Sequence, residues 1–510
     1  MTRVNPRRMS SLSVAISFIL VHICVGILFC VGKVGANTKE YNRDDFPPDF
    51  IFGAGSSAYQ VEGAASEDGR TASTADGYAH GSFADNGDVS CDQYHKYKED
   101  VQLMVDTGLD AYRLSISWSR LIPNGRGPIN PKGLEYYNNL INELINNGIQ
   151  PYVTLLHQDL PFALEEEYGG FSSPRIVEDF TAYANVCFRE FGDRVQHWTT
   201  INEANLFGLI LNVVWKEPSK SNVTLENYDP YLPGHHALLA HASAVKLYRN
   251  YHQAKQHGSI GISLYTYYFV PFSNSAEDQL ATQRSYTFFI DWFMHPLIYG
   301  DYPKVIKRIV GPRLPIVTKS DSELLKGSFD FIGLNYYTFV MAKYDLSHLE
   351  TKTTSERDMN TIWIYANGGD PQKKEPFANT PWALQGVLEH FKQLYNNPPL
   401  FIYENGQSTN CSTTSVDDFS RVEYLRDHVG SLLESLRNGS NVKGYFAWSF
   451  LDVFEFMYGY ERSFGLYYVN FSDVDLGRYP KQSQKWYSTF LKRSITIAPE
   501  LASQQEVHVI

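Results

Sequence analysis

Cysteine is scarce in this chain. The 510 residues include five cysteines, and only Cys91, Cys187 and Cys411 lie beyond the first 36 residues. Three scattered cysteines have neither the spacing of metal ligands nor the density of a disulfide framework. The sequence therefore excludes a cysteine-based zinc module and a small disulfide scaffold, and at most one disulfide can form beyond residue 36.

Basic charge is also in deficit. Four of the 44 Lys and Arg residues, Arg3, Arg7, Arg8 and Lys33, lie in the first 36 residues, which hold no acidic residue; the rest of the chain has 40 basic against 56 acidic residues, a net charge of −16. An acidic surface repels phosphate groups. We therefore expect no nucleic-acid partner, and the charge favours a neutral small-molecule substrate.

Motifs for several common chemistries are missing. The sequence has no phosphate-binding P-loop, no Gly-x-Ser-x-Gly and no strand-linked Gly-x-Gly-x-x-Gly, so nothing supports phosphoryl, acyl or hydride transfer. His235, His236 and His241 lie close together, but no acidic or Cys ligands accompany them, and a helix face is the favoured interpretation. The sequence predicts neither a metal nor a cofactor.

One apolar run is long enough to span a bilayer, and it lies near the start. Three arginines precede the run from Val14 to Val31, and small residues ending at Ala36 follow it. This order predicts a secretory signal peptide over residues 1–36, cleaved after Ala36, with no membrane association afterwards; an uncleaved anchor is the alternative.

Four sequons support the same route. We expect glycosylation at Asn222, Asn410, Asn438 and Asn470. The predicted location is the secretory pathway, ending in the extracellular space, the cell wall or the vacuole. The oligomeric state is not indicated by the sequence.

Short apolar runs alternate with longer amphipathic stretches from Phe50 onward. The predicted strands are Phe50–Ala54, Ala111–Ile116, Gln150–Leu156, His197–Ile201, Ser259–Tyr265, Phe331–Leu334, Leu400–Tyr403 and Gly444–Trp448. The predicted helices include Gln93–Asp106, Lys132–Asn147, Arg175–Phe191, His235–Tyr251, Ala383–Tyr395 and Ser420–Arg437. Eight such alternations predict a single (β/α)₈ TIM barrel over residues 37–495, followed by a tail over 496–510.

Two long stretches interrupt this alternation. Glu217–Pro233 and Met341–Pro381 read as irregular, and they follow the fourth and sixth predicted strands. Loops of this length in a compact enzyme are usually functional. We expect both to lie over the barrel mouth as extended βα loops.

Two carboxylates follow predicted strands. Glu203 comes after Asn202 at the end of the fourth strand, and Glu404 ends the seventh. The carboxyl ends of barrel strands meet at one mouth, so both side chains should face a common pocket. Paired carboxylates suit glycosidic cleavage, in which one protonates the leaving oxygen and the other meets the anomeric carbon; a retaining reaction needs them about 5 Å apart.

Seven motifs in a fixed order carry a resemblance that supports this chemistry. They are SAYQVEGA (57–64), YRLSISWSR (112–120), LHQDLP (156–161), TINEAN (200–205), GLNYYT (333–338), YENG (403–406) and WSFLDVFEF (448–456). From about Phe46 to Leu491 the chain resembles family 1 glycoside hydrolases, in their plant β-glucosidase branch. The resemblance implies a retaining, exo-acting β-glycosidase that removes terminal β-D-glucosyl residues from small glucosides or oligosaccharides.

The resemblance also implies roles for individual residues. Glu203 would be the acid/base, Glu404 the nucleophile, and Arg113 and Tyr337 the donors to the nucleophile. Matches to sugar-binding or site-shaping positions are Gln60, His157, Asn202, Asn335, Tyr337, Trp448 and Glu455. Phe456 is at a further substrate-binding position, where the family commonly has Trp. The mechanism requires a raised pKa for Glu203 and an ionised Glu404 beside donors and positive charge.

Several positions depart from the family pattern. Ala204 stands where proline is usual, Gln158 replaces an aromatic residue, and the segment after Asn205 is short. A missing proline removes a fixed φ, which predicts a looser turn at Glu203. Aglycone specificity and efficiency therefore stay open. The alternatives are a transglucosidase, because an alcohol can replace water, and a degenerate glycoside-binding protein with little turnover.

Overall fold

Eight parallel strands form the centre of the fold. The computed structural model describes residues 41–82, 85–206, 229–345, 347, 354–365, 376–410 and 416–493. The barrel strands are β1 (Ile51–Gly55), β2 (Ala111–Ser115), β3 (Gln150–Leu156), β4 (His197–Ile201), β5 (Ser259–Pro271), β6 (Phe331–Tyr344), β8 (Leu400–Asn405) and β10 (Val442–Trp448). Each pairs in parallel with its neighbours, and the pairing of β10 with β1 and of β6 with both β5 and β8 closes the ring. The predicted (β/α)₈ barrel is confirmed.

Among the described residues, five further strands lie outside the ring. They are β7 (Thr361–Tyr365), β9 (Thr409–Asn410), β11 (Arg462–Ser463), β12 (Tyr467–Val469) and β13 (Arg478–Pro480). β9 pairs with β11 and β12 with β13, both antiparallel. β7 pairs antiparallel with the far end of β6, from Val340 to Tyr344.

Helices surround the barrel. In the described ranges they are α1 (Ala58–Val61), α2 (Thr74–Ser82), α3 (Gln93–Thr107), α4 (Trp118–Leu121), α5 (Pro131–Asn146), α6 (Phe162–Tyr168), α7 (Arg175–Phe191), α8 (Ala204–Leu206), α9 (Tyr231–Tyr251), α10 (Gln253–Gln256), α11 (Ala276–Tyr286), α12 (Trp292–Tyr299), α13 (Lys304–Val310), α14 (Lys319–Leu325), α15 (Thr354–Met359), α16 (Pro381–Leu394), α17 (Phe419–Arg437) and α18 (Gln482–Leu491). Short 3₁₀ turns lie at Arg43–Asp45, Gly170–Ser172 and Gly311–Arg313, and a π-helical turn at Thr287–Asp291. Within these ranges no helix has both the length and the apolar composition that a membrane span requires.

The helix α7 shows why the predicted elements form where they do. Its buried residues recur every three or four positions, and they are Ile176, Phe180, Tyr183, Ala184, Cys187, Phe188 and Phe191. A stripe with this period faces one side of a helix and packs on the barrel. The bounds of α7 are those predicted from the sequence.

Aromatic rings fill the barrel interior below its mouth. Tyr152, Phe401, Tyr403 and Phe446 cluster there with Ala111 and Phe331, and all are buried. Glycines on neighbouring strands make room for the rings: a Cβ on Gly333 would lie 2.3 Å from a ring carbon of Tyr403. This aromatic floor, the six residues just named, is the base on which the polar residues of the mouth lie.

Several predicted boundaries were wrong. β5 and β6 continue to Pro271 and Tyr344, and the stretch predicted as irregular from Met341 contains the end of β6, α15 and β7. β6 extends because its far end pairs with β7, and rings of Phe269 and Trp363 pack there with centroids 5.2 Å apart. Likewise the helix α9 begins at Tyr231, inside the other stretch predicted as irregular.

Candidate active site

Glu404 is the next-to-last residue of strand β8, and two hydrogen-bond donors hold its carboxylate. Arg113 Nη1 donates to Glu404 Oε1 at 2.7 Å, and the Tyr337 hydroxyl donates to Oε2 at 2.8 Å. The side chain is almost fully buried, with 3% of the residue exposed. Burial raises the pKa of Glu404, while the charge and hydrogen bond of Arg113 oppose that rise. Both carboxylate oxygens are thus fixed, and the adjacent guanidinium favours the ionised form.

Arg113 connects the aromatic floor to the carboxylate. It is the third residue of β2, and its guanidinium carbon lies 5.0 Å from the centre of the Tyr403 ring. Its Nη2 donates to Asn202 Oδ1 at 2.5 Å, at the end of β4. A buried arginine with fixed geometry on both sides can hold a carboxylate in one orientation.

Glu203 follows strand β4 and has a different set of partners. Asn335 Nδ2 donates to its Oε1 at 3.0 Å, and Gln158 Nε2 donates to its Oε2 at 2.8 Å. The residue is 8% exposed and its φ is +50°, in the left-handed region. Burial, with a further contribution from the charge of Glu404, raises the pKa of Glu203 to about 8. A protonated carboxyl group at neutral pH is the expected state.

Two asparagines join the carboxylates. Asn335 on β6 donates to Glu203 and also to Asn202 Oδ1 at 3.0 Å, and its hydrogen bond to Glu404 lowers the pKa of that group. Asn202 Nδ2 in turn lies 3.1 Å from His157 Nε2. The strand ends of β3, β4, β6 and β8 therefore share one hydrogen-bonded network, and Glu203 and Glu404 face the same mouth.

A second polar cluster lies beside this network. Gln60 Nε2 and Trp448 Nε1 each donate to a different oxygen of Glu455, both at 3.3 Å. Burial raises the pKa of Glu455 to about 8. The Trp448 ring stacks with His157, with centroids 5.8 Å apart, and the Phe456 ring lies parallel to Tyr59. These residues place indole and imidazole faces next to polar groups, as a sugar site requires.

Some buried polar atoms of the mouth have no protein partner. Among the described residues, His157 Nδ1 and Arg113 Nε make no hydrogen bond. Burial, followed by the charge of Arg113, lowers the pKa of His157 well below its usual value, so the imidazole is neutral. With Nε2 accepting from Asn202, Nδ1 carries the proton and is a donor without an acceptor. A bound hydroxyl group would satisfy it.

Two residues of the site were not assigned a role from the sequence. Gln158 was noted in the sequence only because it replaces an aromatic residue; in the structure it donates a hydrogen bond to Glu203. Asn205 anchors the turn after β4: its Nδ2 donates to Tyr265 O at 2.9 Å and to Phe289 O at 3.1 Å, and its Oδ1 accepts from Tyr265 N. Both residues lie in sequence motifs that also contain predicted site residues, and this proximity in sequence could have indicated that they belong to the site. Ala204 is fully buried, and the Asn205 contacts hold the turn that lacks proline.

Other predicted sites lie away from the mouth or outside the described residues. Asn438 is exposed at the end of α17 and Asn470 is half-buried; Asn222, the short segment after Asn205, residues 1–36 and the tail over 496–510 lie outside the described ranges, as does the side chain of Asn410. The three histidines of α9 hydrogen-bond to separate partners: His235 to Tyr302, His236 to Phe171 and His241 to Thr200. Cys91 and Cys187 have free, buried thiols.

The arrangement combines one protonated and one cation-paired carboxylate in a single buried site. A protonated carboxyl can give a proton to a leaving group, and an ionised carboxylate can attack carbon. Donors on both carboxylates fix their orientation before a substrate arrives. This division of roles is the chemistry of a two-carboxylate glycosidase.

Comparisons with known proteins agree with this chemistry. A family model for glycosyl hydrolase family 1 matches residues 42–495. The chain is 55% identical over 472 residues to a cyanidin 3-O-glucoside 5-O-glucosyltransferase (acyl-glucose) of Dianthus caryophyllus, covering 91% of this chain and 92% of that protein. It is 51% identical over 505 residues to β-glucosidase 11 of Arabidopsis thaliana, covering 92% and 96%. A rice β-glucosidase crystal structure superposes with a TM-score of 0.83 at 39% identity, covering 89% of this chain and all of that one.

Proposed function

The chain belongs to glycosyl hydrolase family 1, and from this membership we propose that it is a retaining, exo-acting β-glucosidase. It removes terminal β-D-glucosyl residues from small glucosides or oligosaccharides. β-Glucosidases among its relatives and structural neighbours support the assignment to this activity. The substrate is a small-molecule glycoside.

The unlike environments of Glu203 and Glu404 carry the proposal. Glu404 has an arginine and a tyrosine as its donors, whereas Glu203 has two neutral amides. A positive charge favours the ionised form of Glu404, and burial favours the protonated form of Glu203. Glu404 is accordingly the nucleophile and Glu203 the acid/base.

In the first half-reaction the bond from the anomeric carbon to the leaving oxygen breaks. Glu404 attacks the anomeric carbon and forms a glucosyl ester, while Glu203 gives its proton to the departing oxygen. The aglycone leaves as a neutral alcohol or phenol, and Glu203 becomes a carboxylate. Esterification of Glu404 removes its negative charge, which is one cause of the raised pKa of Glu203.

In the second half-reaction Glu203 acts as a base. It takes a proton from water as the water oxygen attacks the anomeric carbon, and the ester bond to Glu404 breaks. Glu404 leaves as a carboxylate beside Arg113, and glucose is released with its original configuration. The lower pKa of Glu203 in the glucosyl-enzyme suits this change of role.

The polar residues around the carboxylates bind the sugar in this proposal. Gln60, His157 and Glu455 provide hydrogen-bonding groups for hydroxyls, and Trp448 provides an apolar face for the pyranose ring. Asn202 bonds the 2-hydroxyl, a contact that strengthens in the transition state. Asn335 and Tyr337 orient the carboxylates, and Phe456 packs at the edge of this cluster.

Release of nitrophenol from 4-nitrophenyl β-D-glucoside by the purified protein tests the activity. Glu203→Gln and Glu404→Gln are the matched variants, since each keeps the shape of the side chain and removes the carboxylate. A 2-fluoro glucoside should label the wild-type protein at Glu404, and mass spectrometry of a labelled peptide locates the adduct. Labelling at another residue would contradict the assignment of the nucleophile.

The same assay distinguishes the enzyme from a glycoside-binding protein. Turnover by the wild-type protein that matches the level of the double variant, together with measurable glucoside binding by calorimetry, would favour the degenerate binder. Galactosides, fucosides and mannosides in the same assay define the sugar preference.

Transfer of glucose to an acceptor other than water is the second candidate function. It is favoured by the 55% identity to an acyl-glucose-dependent glucosyltransferase. Water and an alcohol compete for the same glucosyl-enzyme, so the product ratio measures the preference. If transfer dominates, free glucose falls below the amount of nitrophenol formed when a phenolic acceptor is added.

We also propose that the protein enters the secretory pathway through residues 1–36. The order of basic, apolar and small residues there, and the exposed sequon asparagine Asn438, support this route. Expression of the full chain in a plant cell should give a protein that begins at Asn37 and loses mass on removal of N-glycans. An intact N-terminus with no glycan would contradict the proposal.

A further inference from the structure

Gln158 occupies an unexpected place in the site. It follows strand β3 by two residues, between His157 and Asp159, and its amide nitrogen donates to Glu203 Oε2 at 2.8 Å. Only 6% of the residue is exposed. The family pattern has an aromatic residue at this position, whereas this chain has Gln158. The hydrogen bond to Glu203 therefore depends on a substitution in this chain.

The second donor completes the hydrogen bonding of Glu203. Asn335 donates to Oε1 and Gln158 to Oε2, so each oxygen faces an amide N–H. These donors come from β6 and from the end of β3, on either side of β4. A carboxyl group held at both oxygens keeps one rotamer, and amide donors stabilise its ionised form more than its protonated form.

The backbone holds Gln158 in position. Its φ is +66°, in the left-handed region that side-chain-bearing residues rarely adopt, and its carbonyl oxygen lies 3.4 Å from the Thr74 hydroxyl. Glu203, its partner, also has a positive φ. A conformation of this kind costs free energy and persists only where the surrounding structure holds it. The backbone from which the Gln158 side chain extends toward Glu203 is therefore held by its surroundings.

We propose that Gln158 is a positioning residue for the acid/base, and that it stabilises the carboxylate that Glu203 becomes when it gives up its proton. This proposal rests on the proposed function. As the leaving oxygen takes the proton, negative charge develops on Glu203 beside the Gln158 N–H. A donor already in place stabilises that charge without reorganisation.

The proposal gives Gln158 a role in substrate selection. Aglycones that need protonation to leave, such as simple phenols and alcohols, depend on proton transfer from Glu203. Aglycones that leave readily as anions do not. Gln158 therefore extends the range of the enzyme toward poor leaving groups, and its loss should matter in proportion to the basicity of the leaving oxygen.

The basic limb of the pH profile provides an independent signature. The charged and titratable groups that interact with Glu203 lie on several strands: Arg113 on β2, Tyr265 on β5, Tyr337 on β6 and Glu404 on β8. Gln158 acts against the rise in pKa that burial and Glu404 cause. Without it the pKa of Glu203 is higher, so activity that requires protonated Glu203 persists to higher pH.

The test uses Gln158→Met, which keeps the length of the side chain and removes the donor. The full chain is assayed with aryl β-D-glucosides whose leaving groups range from 2,4-dinitrophenol to phenol. For phenyl glucoside we expect kcat/KM to fall about tenfold or more, the effect of a lost hydrogen bond to a charged group. For 2,4-dinitrophenyl glucoside we expect a fall of less than about threefold, and the basic limb should move up by about one pH unit.

Gln93→Met is the matched control. Gln93 is also a buried glutamine that donates to a carboxylate, at 3.3 Å from Asp100 Oδ2, but it lies on α3. It should lower thermal stability without steepening the leaving-group dependence or moving the basic limb. An equal loss on all substrates by Gln158→Met, or an unmoved basic limb, would overturn the proposal. An inactive wild-type protein would instead reject the proposed function.

Discussion

The two carboxylates lie at the mouth of the same barrel, yet their surroundings differ. Glu404 lies within β8, above the aromatic floor, and its donors are Arg113 and Tyr337. Glu203 lies beyond the end of β4, in a turn with positive φ, and its donors are the amides of Asn335 and Gln158. Glu404 is therefore ion-paired on a strand, whereas Glu203 lies on a turn and is hydrogen-bonded by two neutral amides.

These unlike surroundings let one site support two opposite protonation states. Burial raises the pKa of Glu404, and the charge of Arg113 at 2.7 Å opposes that rise and favours the ionised form. Burial decides the state of Glu203, whose pKa rises to about 8. Neutral amides can serve both states of Glu203, because they orient the group without a full positive charge that would prevent protonation.

Removing either carboxylate should have the largest effect on activity and should distinguish the nucleophile from the acid/base. Glu404→Ala should lower activity on every aryl glucoside by on the order of 10⁵-fold, since no other group forms the ester. Glu203→Ala should lower kcat/KM for phenyl glucoside by about 10²- to 10⁴-fold and affect 2,4-dinitrophenyl glucoside much less. Steady-state kinetics on both substrates measure this contrast.

Azide provides a second test of the roles of Glu203 and Glu404. In Glu203→Ala it should attack the glucosyl ester and give a β-glucosyl azide, whereas in Glu404→Ala it should replace the nucleophile and give the α-anomer. NMR of the products identifies the anomers. The reverse pattern of anomers would mean that the two residues have exchanged roles.

Removing the charge beside Glu404 has the next largest effect. Arg113→Met should lower kcat/KM by on the order of 10²- to 10³-fold on good and poor leaving groups alike. The pKa of Glu404 should rise without the guanidinium, and because the nucleophile must be ionised, the acidic limb of the pH profile should move to higher pH. pH profiles of kcat/KM measure that shift.

Arg478→Met provides the control for this variant. Arg478 forms a buried ion pair with Asp100 at 2.9 Å, away from the mouth. Both variants should lose about 3 to 5 kcal/mol of stability, the cost of leaving one buried charge unpaired. Only Arg113→Met should move the acidic limb, and equal pH profiles for the two variants would contradict the role of Arg113.

Loosening the turn at Glu203 should have a smaller effect. Asn205→Ala removes three hydrogen bonds to β5 and the neighbouring π-helical turn. We expect a loss of about 2 to 4 kcal/mol in the free energy of unfolding, and roughly a tenfold fall in kcat/KM that is greater for phenyl than for 2,4-dinitrophenyl glucoside.

Asn130→Ala gives the reference for a purely structural loss. Asn130 caps α5 and donates to Asp68 O and Arg120 O. It should lower the melting temperature without a dependence on the leaving group. A leaving-group dependence of equal size in both variants would show that Asn205 has no specific effect on Glu203.

The smallest expected effect concerns the missing proline. Ala204→Pro restores the residue usual in the family at the start of α8. If the turn already has a compatible φ, stability should rise by about 0.4 to 1 kcal/mol and kcat/KM should change by less than about threefold. Differential scanning calorimetry and the phenyl glucoside assay measure both. A large loss of activity would mean that this turn has adapted to alanine.

Local pattern was enough to predict most of the barrel. The helix α7 has the bounds predicted from its apolar period, and the start of each barrel strand lies within two residues of its predicted start. The end of β6 could not be predicted in this way, because its pairing with β7 depends on a segment about 20 residues further along the chain. Tertiary pairing decided where that strand ends.

In the site, too, local sequence pattern predicted some features, and tertiary contacts decided the others. The positions of Glu203 and Glu404 after strands indicated the mouth, and the family motifs supplied their neighbours. The contact from Gln158 to Glu203 could not be predicted, because it depends on the register of β3 with β4 and on the backbone angles of both residues. The anchoring of the turn by Asn205 depends likewise on the position of β5.

The aromatic floor has a consequence for the order of events in catalysis. Because the rings of Tyr152, Phe401, Tyr403 and Phe446 fill the barrel below Arg113, molecules cannot pass through the barrel axis from mouth to base. Arrival and departure share one entrance. The first product must therefore leave through that entrance before an acceptor of similar size can reach the glucosyl ester. This order predicts parallel lines in double-reciprocal plots when the donor concentration is varied at several fixed acceptor concentrations.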